Sequence, residues 1–255
     1  MKRFSVLLTL LFVGGCAVPP AAEEQAGGDT AVVRDADKLI PFSSGTRGEL
    51  PSGWEPMVIF KQKKRTEYGL VEDQNDIVLR SYAVNSSSGL MQYVDIDPTL
   101  RPWIQWRWKI GNLSDAVSKA EDLMEDAPAR IILGFDGDKG VLPFVDQISF
   151  ETAKVFTGYD FPYATLMYVW DSKAPIGTVR KSKRSGRIRT LVVERGTADV
   201  GKWQNFTRNI VEDFEKAYGE KPGRLIGIGV LTDTDYSGET VETLYGDIRF
   251  TTEKK

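Results

Sequence analysis

The chain contains no histidine. This removes Ser-His-Asp and Cys-His catalysis, and every histidine-ligated zinc or iron site. Cysteine is almost as scarce, since Cys16 is the only one. No disulfide can form within the chain, and no second thiolate exists to share a metal. Any chemistry must therefore use Asp, Glu, Lys, Tyr or Ser, or a metal held by oxygen. Charge of one sign is also lacking: 33 basic against 36 acidic residues leave a net charge of −3. That balance gives no basis for a nucleic-acid partner. No internal repeat and no GxGxxG-type loop after a strand is present.

What is present is ample core material. The 255 residues are 41% hydrophobic and 11% aromatic, enough for one large core or two small ones.

The start, MKRFSVLLTLLFVGGCAVPP, has the parts of an export signal. Lys2 and Arg3 supply the charged end. Phe4 to Val13 is apolar but too short to span a bilayer. Val13-Gly14-Gly15-Cys16 resembles a bacterial lipobox, in which the cysteine is lipidated and becomes the first residue. Residues 1–15 thus read as a lipoprotein signal peptide and Cys16 as the lipid attachment. An ordinary signal peptide with a chance cysteine is the alternative. Ala17, where an aspartate would favour inner-membrane retention, leans towards the outer membrane facing the periplasm. Residues 16–38 are rich in Ala, Pro, Gly and acids, and read as a flexible tether. The folded domain is expected over residues 39–252.

Most of that domain reads as strands. RTEYGLVED and DIVLRSYAV are short and bounded by turn residues. NSSSG is read as a turn that makes LMQYVDI a hairpin partner. RPWIQWRWKI alternates most clearly, with Ile104, Trp106, Trp108 and Ile110 on one face. RIILGF, YATLMYVW, RIRTLVVE, LIGIGVL and YGDIRF follow. TRNIVEDFEKAYG predicts a helix, with Ile210, Phe214 and Tyr218 on one side and Gly219 as its stop. A weaker helix is expected from Asp115 to Met124. The fold class is an all-β, antiparallel two-sheet sandwich of jelly-roll, galactose-binding-like type, with one or two helices.

Four stretches carry candidate chemistry. LTDTDYSGE places Asp233, Asp235, Ser237 and Gly238 at calcium-loop positions 1, 3, 5 and 6. Leu244 stands where the bidentate glutamate of an EF-hand belongs, so an EF-hand is excluded. A looser Ca2+ site would borrow Glu239 or Asp247. The competing reading is a turn whose aspartates bond nearby backbone N–H groups. The second stretch is the other face of the WxW strand. Trp103, Gln105, Arg107 and Lys109 offer an aromatic platform beside hydrogen-bond donors, suited to a sugar, or else form a solvated face. The third, KAEDLMEDAPARIILGF, sets Lys119, Glu121, Asp122 and Asp126 before Arg130. Its carboxylates are candidates for acid–base work or for surface ion pairs, and Arg130 joins the ligand-binding set. The fourth, RKSKRSGRIR, is basic at six of ten positions. Its Ser185-Gly186 reads as a hairpin tip, solvated or facing an anionic envelope component.

Together SYAVNSSSGLMQYV, WIQWRWKI, DAPARIILGF, MYVW, KWQNFTRNIVEDFEKAYG and GIGVLTDTDYSGETVETLYGDIRF resemble the bacterial domain-of-unknown-function family three-zero-four-seven, over roughly residues 50 to 250. The resemblance implies an exported protein and carries over no catalytic residue. YGDIRF is also similar to the last strand of jelly-roll carbohydrate-binding modules. The expectation is a lipid-anchored envelope protein, non-catalytic, that binds a carbohydrate or related ligand. The alternatives are a carboxylate-dependent carbohydrate-active enzyme and an assembly lipoprotein with a protein partner.

Overall fold

Period-two alternation builds two sheets. The computed structural model describes residues 39–58, 61–113, 126–183 and 185–254. Cys16, the expected helix from Asp115 to Met124, and Lys119, Glu121 and Asp122 lie outside the described residues. One sheet orders β1 (Glu55–Met57), β4 (Ser87–Ile96), β11 (Leu225–Asp233), β6 (Arg130–Phe135), β7 (Ala164–Asp171), β9 (Ile188–Arg195) and β8 (Val179–Lys181). The other orders β10 (Gln204–Asn209), β5 (Trp103–Ile110), β12 (Thr240–Tyr245), β3 (Asp76–Val84) and β2 (Glu67–Asp73), with β13 (Arg249–Thr251) also on β5. All pairs are antiparallel except β7 with β9.

The chain changes sheets at β1–β2, β3–β4, β4–β5, β5–β6, β9–β10, β10–β11 and β11–β12. This back-and-forth makes a jelly-roll-type sandwich. It also corrects one expectation. DIVLRSYAV and LMQYVDI are not hairpin partners, because β3 and β4 lie in different sheets. Asn85, at φ 49°, makes the crossing, a left-handed conformation that Asn tolerates. Two strand ranges also differ. YGDIRF is split, with Tyr245 ending β12 and only Arg249–Thr251 forming β13. The expected helix start, Thr207 to Asn209, belongs to β10.

Between the sheets lies the apolar interior. On β5 the burial alternates strictly, with Ile104, Trp106, Trp108 and Ile110 buried. Trp106 stacks on Tyr168 at 4.9 Å and on Phe206 at 4.8 Å. Helix α2 (Ile210–Tyr218) forms as its sequence predicts. The Asn209 side chain caps it by accepting from Val211 and Glu212 N–H, and Gly219 ends it at φ 73°. Phe214 seats it against Phe135, with ring centroids 4.7 Å apart. Asp213 fixes it further, accepting from the Tyr168 hydroxyl at 2.8 Å and pairing with Arg208. A longer helix, α1 (Phe144–Thr157), is not foreshadowed by an inward apolar stripe.

Candidate functional site

Outward from β5 point Trp103, Gln105, Arg107 and Lys109, all half-buried. Their partners come from two directions. The β2–β3 turn, with Gln74 and Asn75 both at positive φ, brings Asp73 and Asp76 over the sheet. Arg107 pairs with Asp76, and Lys109 Nζ donates to Asp73 Oδ1 at 2.6 Å. From the other side comes Trp203, just ahead of β10. Its ring lies 4.4 Å from the Arg107 guanidinium and 5.3 Å from the Lys109 ammonium. Its indole N–H donates to Asp73 Oδ2 at 2.8 Å. Gly246 leaves the room: a Cβ there would sit 2.5 Å from Arg107 Cγ.

The Lys109 ammonium and the Trp203 N–H hold the Asp73 carboxyl below its usual range, against a smaller effect of burial. Asp73 is therefore a carboxylate at neutral pH. The platform continues across the sheet, because Leu244 pairs with both Lys109 and Arg80. Arg80 Nε reaches Glu242 Oε2 at 2.5 Å and lies 4.7 Å from the Tyr82 ring centroid. Trp103 stands at the strand's start, under the Lys254 ammonium at 5.5 Å. Gln105 lies between Thr207 and Arg249 in the register.

Arg130 is not part of this face. It begins β6 in the other sheet and is buried, with Nη1 donating to Asp233 Oδ2 at 3.0 Å. Around Asp233 gather Asp126 and Asp235, with one oxygen of each within 4.8 Å of the others. These three could hold a cation. Of the expected calcium ligands, Asp233 and Asp235 thus converge, while Asp247 is held elsewhere. Asp247 accepts instead from Ser43 N at 2.9 Å and Ser43 Oγ at 2.6 Å. The Ser237 hydroxyl donates to Thr234 O, and its N–H donates to Asp126 Oδ2 at 2.6 Å. Asp126 takes the place expected of Asp247. Its other oxygen accepts from Tyr236 N–H at 3.0 Å.

Lys63 closes the cluster on Asp235. Three carboxylates thus face two cations, Arg130 and Lys63. Burial pushes Asp233 up to about 7, opposed by Arg130 and helped by its acidic neighbours. Burial would also raise Asp235, but hydrogen bonds with Asp233 and Lys63 hold it below its usual range. A proton at Asp233 therefore balances the excess charge near neutral pH.

Trp203, Asp73, Asp76, Arg80, Tyr82 and Glu242 were not among the residues expected at this face. Two signals were legible. Asp73 and Asp76 bracket a Gln-Asn turn, and Arg80 and Tyr82 alternate with buried Leu79, Ser81 and Ala83.

No curated protein matches the sequence. Among solved structures, the chain is similar to the carbohydrate-binding module CBM27-1 of Caldicellulosiruptor saccharolyticus, solved in complex with mannohexaose. Identity is 13% and the TM-score 0.36, covering 86% of this chain and 98% of that one. A cellulase derived from Cel12A of Rhodothermus marinus is similar at 10% identity and a TM-score of 0.38, covering 74% of this chain and 88% of that one. The family described as Protein of unknown function (DUF3047) matches residues 52–249, and the chain belongs to it.

Proposed function

We propose that this is an exported, lipid-anchored envelope protein whose outer β5 face binds a polyhydroxylated ligand, a glycan strand. The reading rests on one observation: the Trp203 ring is held against Arg107 and Lys109 with its N–H bonded to Asp73. A pyranose has an apolar C–H face and a polar rim. An aromatic plane suits the first, and fixed carboxylates and guanidinium groups suit the second. Because these side chains already hold one another, little rotamer freedom is lost on binding. Asp73 and Asp76 accept from hydroxyls, while Arg107 and Gln105 donate. The export signal and Cys16 support the anchoring part of the reading.

Titration of the full chain with soluble fragments of envelope polysaccharide tests this. Trp203→Ala and Arg107→Ala are each expected to weaken binding roughly tenfold or more. Equal retention of such fragments by wild type and both variants, all folded by circular dichroism, would sink the proposal. Metabolic labelling with an alkynyl fatty acid tests the anchor. Label is expected on the wild type and not on Cys16→Ser, and equal labelling of the two removes the anchor.

A further inference from the structure

Helix α1 turns four large apolar side chains to solvent. A helix on a globular domain ordinarily turns its apolar stripe to the core. Here Phe144, Val145, Ile148 and Val155 are 76, 69, 49 and 80% exposed. At the helical repeat, Phe144, Ile148 and Val155 fall on one line with Val145 beside it. The half-buried side mixes Asp146, Gln147 and Ser149 with Phe150 and Ala153. Gln147 Nε2 donates to Gly140 O at 3.1 Å and Leu142 O at 2.8 Å, and Asp146 is half-buried. Val141, 72% exposed just ahead of the helix, lengthens the stripe. Exposed Glu151 and Thr152 stand between Ile148 and Val155 on this side. Apolar side chains scattered singly need no explanation, but four large ones on one side of one helix do.

Beside the stripe stands the basic β8–β9 hairpin. At its tip, a Cβ on Gly186 would lie 3.4 Å from Asp146 Oδ1 and 3.3 Å from Lys181 Nζ. The lysine ammonium therefore flanks the first turn of α1. Three of the hairpin's arginines are engaged inward. Arg180 pairs with Asp171, Arg187 pairs with Glu220, and Arg189 lies over Tyr218. Lys181 and Lys183 are exposed, and so is Lys154 on the helix, where it pairs with Asp160 at 3.2 Å. An exposed apolar row rimmed by lysines is the pattern of a helix lying in the plane of an anionic bilayer. With 14 residues, α1 spans only ~21 Å, too short to cross.

We propose that α1 and the β8–β9 turn form a docking surface for an anionic phospholipid bilayer, with Phe144, Ile148 and Val155 in the headgroup layer. The proposal rests on the anchoring reading above, which puts a bilayer within reach. Residues 17–38, even drawn out fully, separate Cys16 from Leu39 by at most ~80 Å. The anchor limits distance, and the surface sets which side of the domain faces the lipid.

Cys16 is the only cysteine, so the full chain with Cys16→Ser accepts one dye wherever a new cysteine is placed. An environment-sensitive dye on Val155→Cys is titrated with phosphatidylglycerol–phosphatidylcholine vesicles. Leu100→Cys, 69% exposed in a turn, is the control. The expected result is a blue shift at Val155 and none at Leu100. Lys181→Glu with Lys183→Glu is expected to weaken the titration roughly tenfold or more. No shift at Val155, or an equal shift with phosphatidylcholine alone, overturns the proposal. A shift that grows with protein concentration and no vesicles overturns it in favour of a second copy. This chain carries no acyl group, so the outcome is separate from that of the labelling experiment.

Discussion

Around Trp106 the interior is carbon, while around Thr232 it is a mesh of hydroxyls. Trp106 lies between the rings of Tyr168 and Phe206, with Trp108 edge-on at 5.7 Å. Neither the Trp106 nor the Trp108 N–H finds a hydrogen-bond partner among the described residues. At the other place, Ser81 Oγ and Thr232 Oγ1 meet at 2.7 Å, and Thr232 Oγ1 and Tyr245 Oη at 2.9 Å. Thr66 and Ser86 share a contact of 3.1 Å, and Thr243 Oγ1 donates to Pro128 O at 2.8 Å. The Ser81–Thr232 bond joins strands of opposite sheets, β3 and β11. Stacked rings resist separation but fix register weakly. A hydroxyl mesh is directional, so it fixes where β11 ends, and with it the position of Asp233. The first region supplies stability, and the second supplies placement.

Three substitutions measure that difference. Trp106→Ala is expected to cost about 3–5 kcal/mol in denaturant unfolding, because it opens a cavity between two rings. Trp106→Phe should cost far less, since it also removes a buried N–H without a partner. Thr232→Val keeps the shape and deletes one hydroxyl. It is expected to cost about 1–3 kcal/mol, because Ser81 and Tyr245 each lose a bond. A loss at Thr232 as large as that of Trp106→Ala would break the comparison. So would a Trp106→Phe protein as unstable as Trp106→Ala.

The aromatic region was legible in the sequence, and the mesh was not. Ile104, Trp106, Trp108 and Ile110 announce a buried face by period two alone. Ser86, Ser88 and Thr232 look like turn or solvent residues, and NSSSG reads as a turn for that reason. Their partners are far along the chain: Thr66 bonds across 166 residues to Thr232 O. The same limit explains the candidate sites. The outward set from Trp103 to Lys109 follows from alternation. Its covering groups, Trp203 and Asp73, are 130 residues apart and meet only through the sheet order. Asp126 lies 107 residues before Asp233, so an acid near in sequence, Asp247, was the expected partner (233 − 126 = 107). Helix α1 escaped because Glu151 and Thr152 interrupt its apolar positions and no side chain caps its start.

The smallest expected effect lies where the mesh ends, at Asp233. Burial raises its carboxyl from the ordinary 3.8 to about 7, so the folded state keeps a proton that the unfolded state releases. Stability from this group is therefore greatest below pH 4 and falls as pH rises towards 7. Asp235 shifts the other way and offsets part of this, and the pair titrates as one unit. Asp233→Asn imitates the protonated acid at every pH. It is expected to leave the melting temperature almost unchanged at pH 3.5, where both states hold the proton. At pH 8 it should raise stability slightly, on the order of 1 kcal/mol. The check is thermal unfolding of both proteins at the two pH values, with chelator and then with added calcium. Equal melting at pH 8 would mean that Arg130 and Lys63 already balance the cluster. A calcium-dependent rise in the wild type, lost in Asp233→Asn, would mean that a cation rather than a proton takes the third charge. In either case the hydroxyl mesh would still set the position, and only the counter-charge would change.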